Sequence, residues 1–471
     1  MSAAFDQSLI QGNILRGYRR ARVRHIVLKV VDKAAARRWL GAAVSGHIDK
    51  APQITSGAPW ASKPDICFNI GLTFDGLRAL GVSSGSLQTF PLEFSVGMHE
   101  RAIKLGDVGP SAPENWASPF NKPKDVHLIA SVYSDRADHL DDIQNRLGPG
   151  GTGGAFEVLG VRDGQAFDGD VVHFGYRDGI SQPRFEGIHD SENHRDLQPR
   201  TPLGTVLLGQ PTVFEGLVWE VPQPSALGML GSFNAFRVLA QDVAGFEAYL
   251  SEAARVLEEH VLVQELLPDG AEKVYGPGMT RHTALRELVA AKLCGRWRNG
   301  TSLDQSPDRP GAVDVRHLND FDYSSDNACP YGAHTRRTNP RGARIVQRGA
   351  NHSRRLVRRG MPYGPAYDPA NPDDGIERGL LGNFLGANLG AQFEALSCDW
   401  LNLGLQDPRI TGSNDPLLGA NDPQTSWFDI PLRSGSSIRL TGLPRFVQTR
   451  GGAYTFLPSM AAIRYLSTLA G

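Results

Sequence analysis

The carboxylate of Asp178 stands in a sequence context that could support chemistry. It lies in HFGYRDGISQP at 173–183, where flanking glycines let the backbone turn tightly and approach a flat ligand. The Gly-x-x-Asp-Gly pattern alone is weak, because GVRDG at 160–164 repeats it and an isolated Asp-Gly is typical of a turn. What distinguishes Asp178 is the His-Phe before its motif and the Ile-Ser-Gln-Pro after it.

A histidine and an arginine further along the chain extend this set. Pro330 and Pro340 bracket His334, so its imidazole is expected to project from one or two helical turns. A haem iron needs one axial ligand of fixed direction, and a neutral histidine is the usual one. Spacing alone does not separate this role from that of an ordinary packed histidine. Arg358 lies at the end of a basic cluster over 336–359, which could pair with anionic groups or form a solvated charged surface.

Composition and failed motifs exclude several other classes of protein. The chain has 49 basic and 50 acidic residues, so its overall charge suggests neither a nucleic-acid nor a membrane partner. Its four cysteines form no Cys-x-x-Cys pair, which argues against a structural zinc or iron–sulfur site. GVSSG at 81–85 is not expected to join a strand to a helix, and GPGGTGG at 148–154 lacks a phosphate-loop ending. With no signal-peptide or membrane-length apolar stretch, we expect a cytoplasmic protein.

The elements that must position these residues form a repeated pattern. A β-branched stretch at 23–31 predicts a strand, and Asp32 then opens an amphipathic helix through residue 44. Residues 231–239, Asp242 and residues 243–257 repeat this order. At 471 residues the chain is long for one core, so we expect two similar α+β domains, at 1–200 and 201–471.

Loops are expected to carry or cover the site. The Pro-rich and polar stretch 182–224 predicts a long connection between the halves, and loops of that length are usually functional. The stretches 298–319 and 361–375 are rich in Pro, Gly and Asp, which predicts irregular structure that covers or lines a site.

Motifs along nearly the whole chain resemble those of one enzyme family. They are IQGNIL at 10–15, NIGLT at 69–73, the Gly-x-x-Asp-Gly segment, GRWRNG at 295–300, CPYGAHTRRTNPR at 329–341, QFE at 392–394 and FLP at 456–458. In this order they resemble the dye-decolourising peroxidases, in the group of long bacterial and fungal enzymes. The resemblance implies an α+β fold of two ferredoxin-like domains, of the dimeric α+β barrel type, with long loops and haem b held mainly by the C-terminal domain.

The resemblance also implies roles for the three residues above. Asp178 becomes the distal acid–base, Arg358 its distal partner, and His334 the proximal ligand of the haem iron. Hydrogen peroxide would be the oxidant, and dyes, phenolics or similar aromatic reductants would be oxidised in one-electron steps through a ferryl–porphyrin radical. Two alternatives stay open: a protein that handles porphyrin with little turnover, and an interaction protein without haem. Self-association is left open.

Further residues receive roles around this centre. Glu394, in the QFE motif, is the candidate carboxylate behind the axial histidine. His173 and Arg341 are assigned to the haem edge or propionates. Bulky substrates cannot reach a buried iron, so Tyr363 is the first candidate for a surface electron relay.

Two weaker relay candidates and one departure from the family complete these expectations. Tyr331 and Trp297 follow Tyr363 as relay candidates, although all three side chains are of types that more often simply pack. Where the family commonly places a phenylalanine roofing the distal pocket, this chain has Gly382. The pocket is therefore either more open or filled by Phe384.

Overall fold

The computed structural model describes residues 5–148, 150–188, 197–214, 216–323, 328–342 and 354–469. In these residues the strands are β1 (Arg22–Val30), β2 (Cys67–Leu72), β3 (Leu128–Ser134), β4 (Phe156–Gln165), β5 (Ser232–Gln241), β6 (Val357–Arg358), β7 (Met361–Tyr363), β8 (Gly379–Gly386), β9 (Trp427–Pro431), β10 (Ser437–Thr441) and β11 (Val447–Leu457). The α-helices are α1 (Gly12–Leu15), α2 (Lys33–Ala42), α3 (Phe74–Ala79), α4 (Ser84–Leu87), α5 (Leu92–Glu100), α6 (Ala102–Leu105), α7 (Ala137–Leu147), α8 (Ser225–Gly228), α9 (Val243–Glu258), α10 (Val263–Leu266), α11 (Arg281–Cys294), α12 (His334–Thr338) and α13 (Met460–Ser467).

The two halves of the chain contribute strands in the same order to one antiparallel sheet. The first half runs β4-β1-β3-β2 and the second runs β11-β5-β8-β6, with β7 also paired to β8. In each half the order is therefore fourth, first, third, second, with β6 and β7 sharing the second place. This order confirms the prediction of two ferredoxin-like α+β halves. The boundary near residue 200 falls in the connection between β4 and β5 and stays a prediction.

Equivalent aspartates begin the first long helix of each half. The Asp32 carboxylate accepts a hydrogen bond from the Ala35 amide at 2.8 Å, and the Asp242 carboxylate accepts one from the Gly245 amide at 2.8 Å. Both satisfy amide groups that a helix start leaves without partners. The internal repeat seen in the sequence is thus present as a repeated strand, cap and helix.

The sheet of the second half has one face toward the core and one toward a cavity. Side chains alternate across a strand, so residues two apart share a face. Phe236 and Val238 of β5 and Leu381 of β8 belong to the main hydrophobic core. Their neighbours line the cavity: Arg237, Leu239 and Gln241 of β5, Leu380, Gly382 and Phe384 of β8, and Val447 and Thr449 of β11.

Several local expectations were wrong. Residues 160–164 form part of β4 rather than a turn, with Arg24 bonding the Asp163 carboxylate at 2.7 Å. Residues 361–363 form strand β7 instead of irregular structure. Two consecutive π-helical segments, Leu389–Glu394 and Leu396–Asn402, were not predicted from the sequence. Across the described ranges, no helix has both the length and the apolar character required to cross a bilayer.

Candidate active site

One cavity collects most of the chemically distinctive residues. It has a volume of about 340 Å³, within the range of roughly 300–1,000 Å³ usual for ligand sites. Asp178, Arg358, His334 and Arg341 all line it. These residues lie far apart in the sequence, so the fold brings together what the motifs singled out.

Two glycines shape the loop that carries Asp178. Gly175 and Gly179 have φ values of +81° and +71°, a left-handed conformation that glycine adopts without steric cost. The Asp178 amide donates to the Asp170 carbonyl at 2.8 Å, and the Arg177 amide donates to the Arg298 carbonyl at 2.9 Å. These bonds pin the backbone, so the glycine-bracketed loop presents its aspartate at the cavity.

The Arg358 guanidinium lies beside the Asp178 carboxylate without forming a short hydrogen bond to it. One terminal guanidinium nitrogen lies 3.6 Å from Asp178 Oδ1, and the two side chains are 40% and 42% exposed. The other terminal nitrogen donates to the Ser181 carbonyl at 3.1 Å. A partly exposed pair at this distance contributes little to stability, which leaves both groups available to a ligand.

The Gln182 side chain ties the aspartate loop to the arginine strand. Its amide group donates to the Arg358 carbonyl at 3.0 Å, and its oxygen accepts from the Arg358 amide at 3.0 Å. This reciprocal pair imitates a strand pairing between residues 176 positions apart. It explains why the Ile-Ser-Gln-Pro context distinguishes Asp178 from Asp163.

His334 begins helix α12, the short stiff element expected between the prolines. Gly295 ends α11 directly beside this helix with φ +89°, and a Cβ there would lie 2.3 Å from the Thr335 hydroxyl. The GRW motif therefore allows close packing behind the histidine. His334 Nδ1 donates to Asp415 Oδ2 at 3.0 Å, and its Nε2 has no hydrogen-bond partner among the described residues.

Asp415 is the carboxylate behind His334, and no motif in the sequence pointed to it. It is fully buried, and its Oδ1 accepts from the amides of Leu417 and Leu418 at 2.9 and 2.8 Å. Burial alone would raise the pKa of this carboxyl, but adjacent His334, Arg337 and the Leu418 amide outweigh burial and hold the pKa below its ordinary value. The aspartate is thus ready to accept the His334 proton in a hydrogen bond.

Arg337 secures this arrangement from the opposite end of α12. Its guanidinium donates to the carbonyls of Gly332, Trp400 and Ser413 at 2.9 to 3.1 Å, and to the Ser413 hydroxyl at 2.5 Å. Burial lowers the pKa of Arg337 to about 10. The residue joins the histidine helix to the loop that contains Asp415.

Comparisons with known proteins agree with this site. The family model described as the DyP dimeric alpha+beta barrel domain matches residues 9–156. The multifunctional dye peroxidase DyP2 of Amycolatopsis sp. is 30% identical over 97% of this chain and 95% of its own length. The chain belongs to the dye-decolourising peroxidase family.

Other members of the family share the whole length of the chain. The dye-decolorizing peroxidase msp1 of Mycetinis scorodonius is 29% identical over 98% of this chain and 88% of its own length. A solved dye-decolorizing peroxidase in complex with 2,6-dimethoxyphenol superposes with a TM-score of 0.80 at 26% identity, covering 98% of this chain and 100% of that one. This member of the family is therefore a peroxidase, and peroxidases of this type are haem enzymes.

The assignment of Glu394 as the carboxylate behind His334 was wrong. Its carboxylate binds Arg101 through both oxygens, at 2.9 and 2.5 Å, and accepts from the Tyr454 hydroxyl at 3.0 Å. The partner of His334 is Asp415 instead. A motif match located a buried carboxylate but not the neighbours that determine its role.

His173 does not line the cavity of His334. Its Nε2 lies 2.8 Å from the Tyr363 carbonyl, its ring packs edge-on against Phe167, and burial lowers its pKa. It borders a second, neighbouring cavity of about 370 Å³. Its assignment to the haem edge therefore has no support from this geometry.

The three relay candidates occupy different environments. Tyr363 donates to Glu377 at 2.8 Å near the surface. Trp297 is buried at the cavity wall, with its indole N–H bonded to the Ser306 carbonyl at 2.7 Å. The Tyr331 ring contacts two guanidinium groups, those of Arg336 and Arg409. Their role in electron transfer stays a prediction.

Phe384 occupies the space next to Gly382. A Cβ on Gly382 would lie 2.5 Å from the Phe384 ring, so the ring covers the glycine. Both residues line the cavity. Of the two outcomes expected at this position, the structure has Phe384 filling the wall.

The donor set of the cavity fits a haem. His334 Nε2 has no protein partner within the described ranges, and Nδ1 makes the hydrogen bond to a carboxylate that is usual for iron-ligating histidines. Arg296 and Arg341 present two buried guanidinium groups at the wall, both bonded to the Asn319 side chain, where they would attract carboxylates. Arg341 has φ +54°, a strained conformation typical of functional positions.

Proposed function

We propose that this chain binds haem b through His334 and reduces hydrogen peroxide at the expense of phenols and dye-like aromatic compounds. The observation that carries the proposal is that His334 lines the same cavity as the Asp178–Arg358 pair, with Asp415 hydrogen-bonded to His334 from behind. The relative bound to 2,6-dimethoxyphenol supports a phenol as reductant.

The haem iron, when bound, supplies the centre at which peroxide accepts two electrons. Asp178 takes the proton from one peroxide oxygen and returns it to the other, which leaves as water. Such acid–base catalysis contributes about 10²–10⁴-fold to rate. The Arg358 guanidinium stabilises the negative charge that develops on the departing oxygen.

Asp415 orients His334, the residue that would bind the iron. By accepting a hydrogen bond from Nδ1–H, Asp415 holds His334 in the tautomer whose Nε2 can bind iron, and it makes Nε2 a stronger electron donor to the metal. Arg341 and Arg296 would hold the propionates, and Tyr363 is our candidate surface relay for reductants too large to enter the cavity.

The main competitor is a porphyrin-handling protein with little turnover. A protein that only binds and transfers haem needs His334. It does not need an aspartate and an arginine beside each other at the cavity. The pair therefore favours catalysis.

The test begins with an absorption spectrum of the protein supplemented with haem. We expect a Soret band, a pyridine haemochrome spectrum of haem b, a spectral change on adding hydrogen peroxide, and oxidation of 2,6-dimethoxyphenol. A protein without a Soret band would remove the haem assignment. A Soret band that peroxide leaves unchanged would instead favour the porphyrin-handling alternative.

A further inference from the structure

A buried tyrosine and carboxylate lie directly behind one wall of the cavity. The Tyr454 hydroxyl donates to Glu394 Oε1 at 3.0 Å, and the two residues are 2% and 0% exposed. Phe393 lines the cavity, and its ring stands edge-on to Tyr454 with centroids 6.2 Å apart. Phe393 therefore contacts both the cavity and the Tyr454 ring.

The surroundings of Tyr454 determine what happens when the phenol loses an electron. Burial, together with the negative charge of Glu394, raises the pKa of Tyr454 well above its ordinary value, so the resting residue is a neutral phenol. A phenol that has lost an electron is strongly acidic and must release its proton. Glu394 Oε1 already accepts that proton in a hydrogen bond and can take it without any movement of the backbone.

Two cationic side chains contact the Glu394 carboxylate. Arg101 binds both of its oxygens, and Lys104 Nζ lies 3.6 Å from Oε2. These contacts offset the free-energy cost of burying the carboxylate beside Tyr454.

The two tyrosines on the cavity wall, Tyr176 and Tyr323, have no carboxylate partner among the residues that the structure describes. Tyr176 donates to the Ala290 carbonyl at 2.7 Å, and the Tyr323 hydroxyl lies 3.5 Å from that of Thr335. Neither a carbonyl nor a hydroxyl is basic enough to take the proton of an oxidised phenol. Proximity to the cavity alone would favour these two residues as electron donors. The presence of a carboxylate that can accept the proton favours Tyr454 instead.

We propose that Tyr454 is an internal electron donor of the peroxidase reaction, with Glu394 as its proton acceptor. The inference rests on the proposed function, because the peroxide-oxidised cofactor is the oxidant. One electron passes from Tyr454 to that cofactor, the phenol O–H bond breaks, and the proton bonds to Glu394. The product is a neutral tyrosyl radical, which an electron from the aromatic reductant and the returning proton convert back to tyrosine.

The test uses haem-loaded protein, rapidly frozen after one equivalent of peroxide without a reductant and measured by electron paramagnetic resonance. All samples carry Tyr363→Phe, because the exposed Tyr363–Glu377 pair could give a second tyrosyl signal. Ring-deuterated tyrosine identifies the signal as tyrosyl through its narrowed hyperfine structure. Tyr454→Phe keeps the ring, Glu394→Gln keeps a hydrogen-bond acceptor without basicity, and Tyr176→Phe is the matched control.

We expect Tyr454→Phe to abolish the tyrosyl signal and Glu394→Gln to slow its formation about 10²-fold, the size of an acid–base contribution. Tyr176→Phe should keep the signal. Retention of the parent signal in Tyr454→Phe, or its loss in Tyr176→Phe, would overturn the proposal. An unchanged rate in Glu394→Gln would overturn the role of Glu394.

Two readouts in the same samples distinguish loss of the radical from loss of haem and from loss of stability. The Soret band and its change with peroxide report on the proposed function, so their absence would defeat that function rather than the Tyr454 proposal alone. Thermal unfolding of each variant in its haem-free form measures any purely structural effect. A Glu394→Gln protein with the parent unfolding midpoint but a slowed radical supports proton acceptance.

Discussion

The His334–Asp415 pair and the Asp178–Arg358 pair are built differently. His334 and Asp415 are joined by a 3.0 Å hydrogen bond, and the carboxylate is fully buried and bonded to two backbone amides. Asp178 and Arg358 lie 3.6 Å apart, and both side chains are about two-fifths exposed. One pair is held in a single geometry, while the other keeps contact with solvent.

The difference follows from the work expected of each pair. An axial ligand must point in one direction, so a buried carboxylate and a short helix that fix the imidazole are an advantage. A proton shuttle must exchange protons with a small substrate, so its carboxylate needs room and an entry path. Rigidity is therefore concentrated behind His334, and accessibility at Asp178.

Removing the rigid ligand should have the largest effect. His334→Ala takes away the nitrogen that would bind iron, so we expect haem retention to fall further than the roughly 10–100-fold typical of losing an outer partner. Haem transfer to an excess of apomyoglobin measures the loss. Retention equal to the parent protein would show that another residue ligates the iron.

Changes to the accessible pair should affect rate instead of retention. Arg358→Leu and Asp178→Asn are expected to keep the Soret band but slow the reaction with peroxide by about 10²–10⁴-fold. We expect the two variants to slow the reaction by different factors, because enzymes of this group can depend on the arginine more than on the aspartate. Stopped-flow absorbance gives the rates, and parent-like rates in both variants would refute the roles.

Weakening the support behind the ligand should give an intermediate effect. Asp415→Asn keeps the shape of the side chain but removes its charge, and we expect a loss of about 10–100-fold in haem affinity, measured by haem transfer to an excess of apomyoglobin. Glu394→Gln is the matched control, because Glu394 lies outside this hydrogen bond. If the control lowers haem affinity as much as Asp415→Asn, the two carboxylates are not functionally distinct.

The smallest effect is expected at the link between the loop and the strand. Gln182→Leu removes two hydrogen bonds to the Arg358 backbone, each worth about 1 kcal/mol. The peroxide rate should fall by less than roughly tenfold, with haem retention unchanged. A fall as large as that of Arg358→Leu would mean that the accessible pair depends on a fixed geometry after all.

Local sequence patterns predicted the architecture well. Asp32 and Asp242 act as helix caps at positions that the sequence alone identified, because capping depends on residues only three apart. The prolines around His334 likewise predicted a short helix, which the structure has over His334–Thr338. The π-helical segments escaped prediction because their hydrogen bonding depends on packing, which leaves no fixed period in the sequence.

By itself the sequence identified His334, Asp178 and Arg358 as candidates for chemistry and predicted the order in which strands and helices repeat. The tertiary structure decided which of these side chains meet. His334 could have paired with any buried carboxylate, and the choice of Asp415 over Glu394 depends on a contact between residues 81 positions apart. The Gln182–Arg358 bonds span a still longer separation. Such pairings are set by how the sheet and helices pack, because no local rule relates residues so distant in the chain.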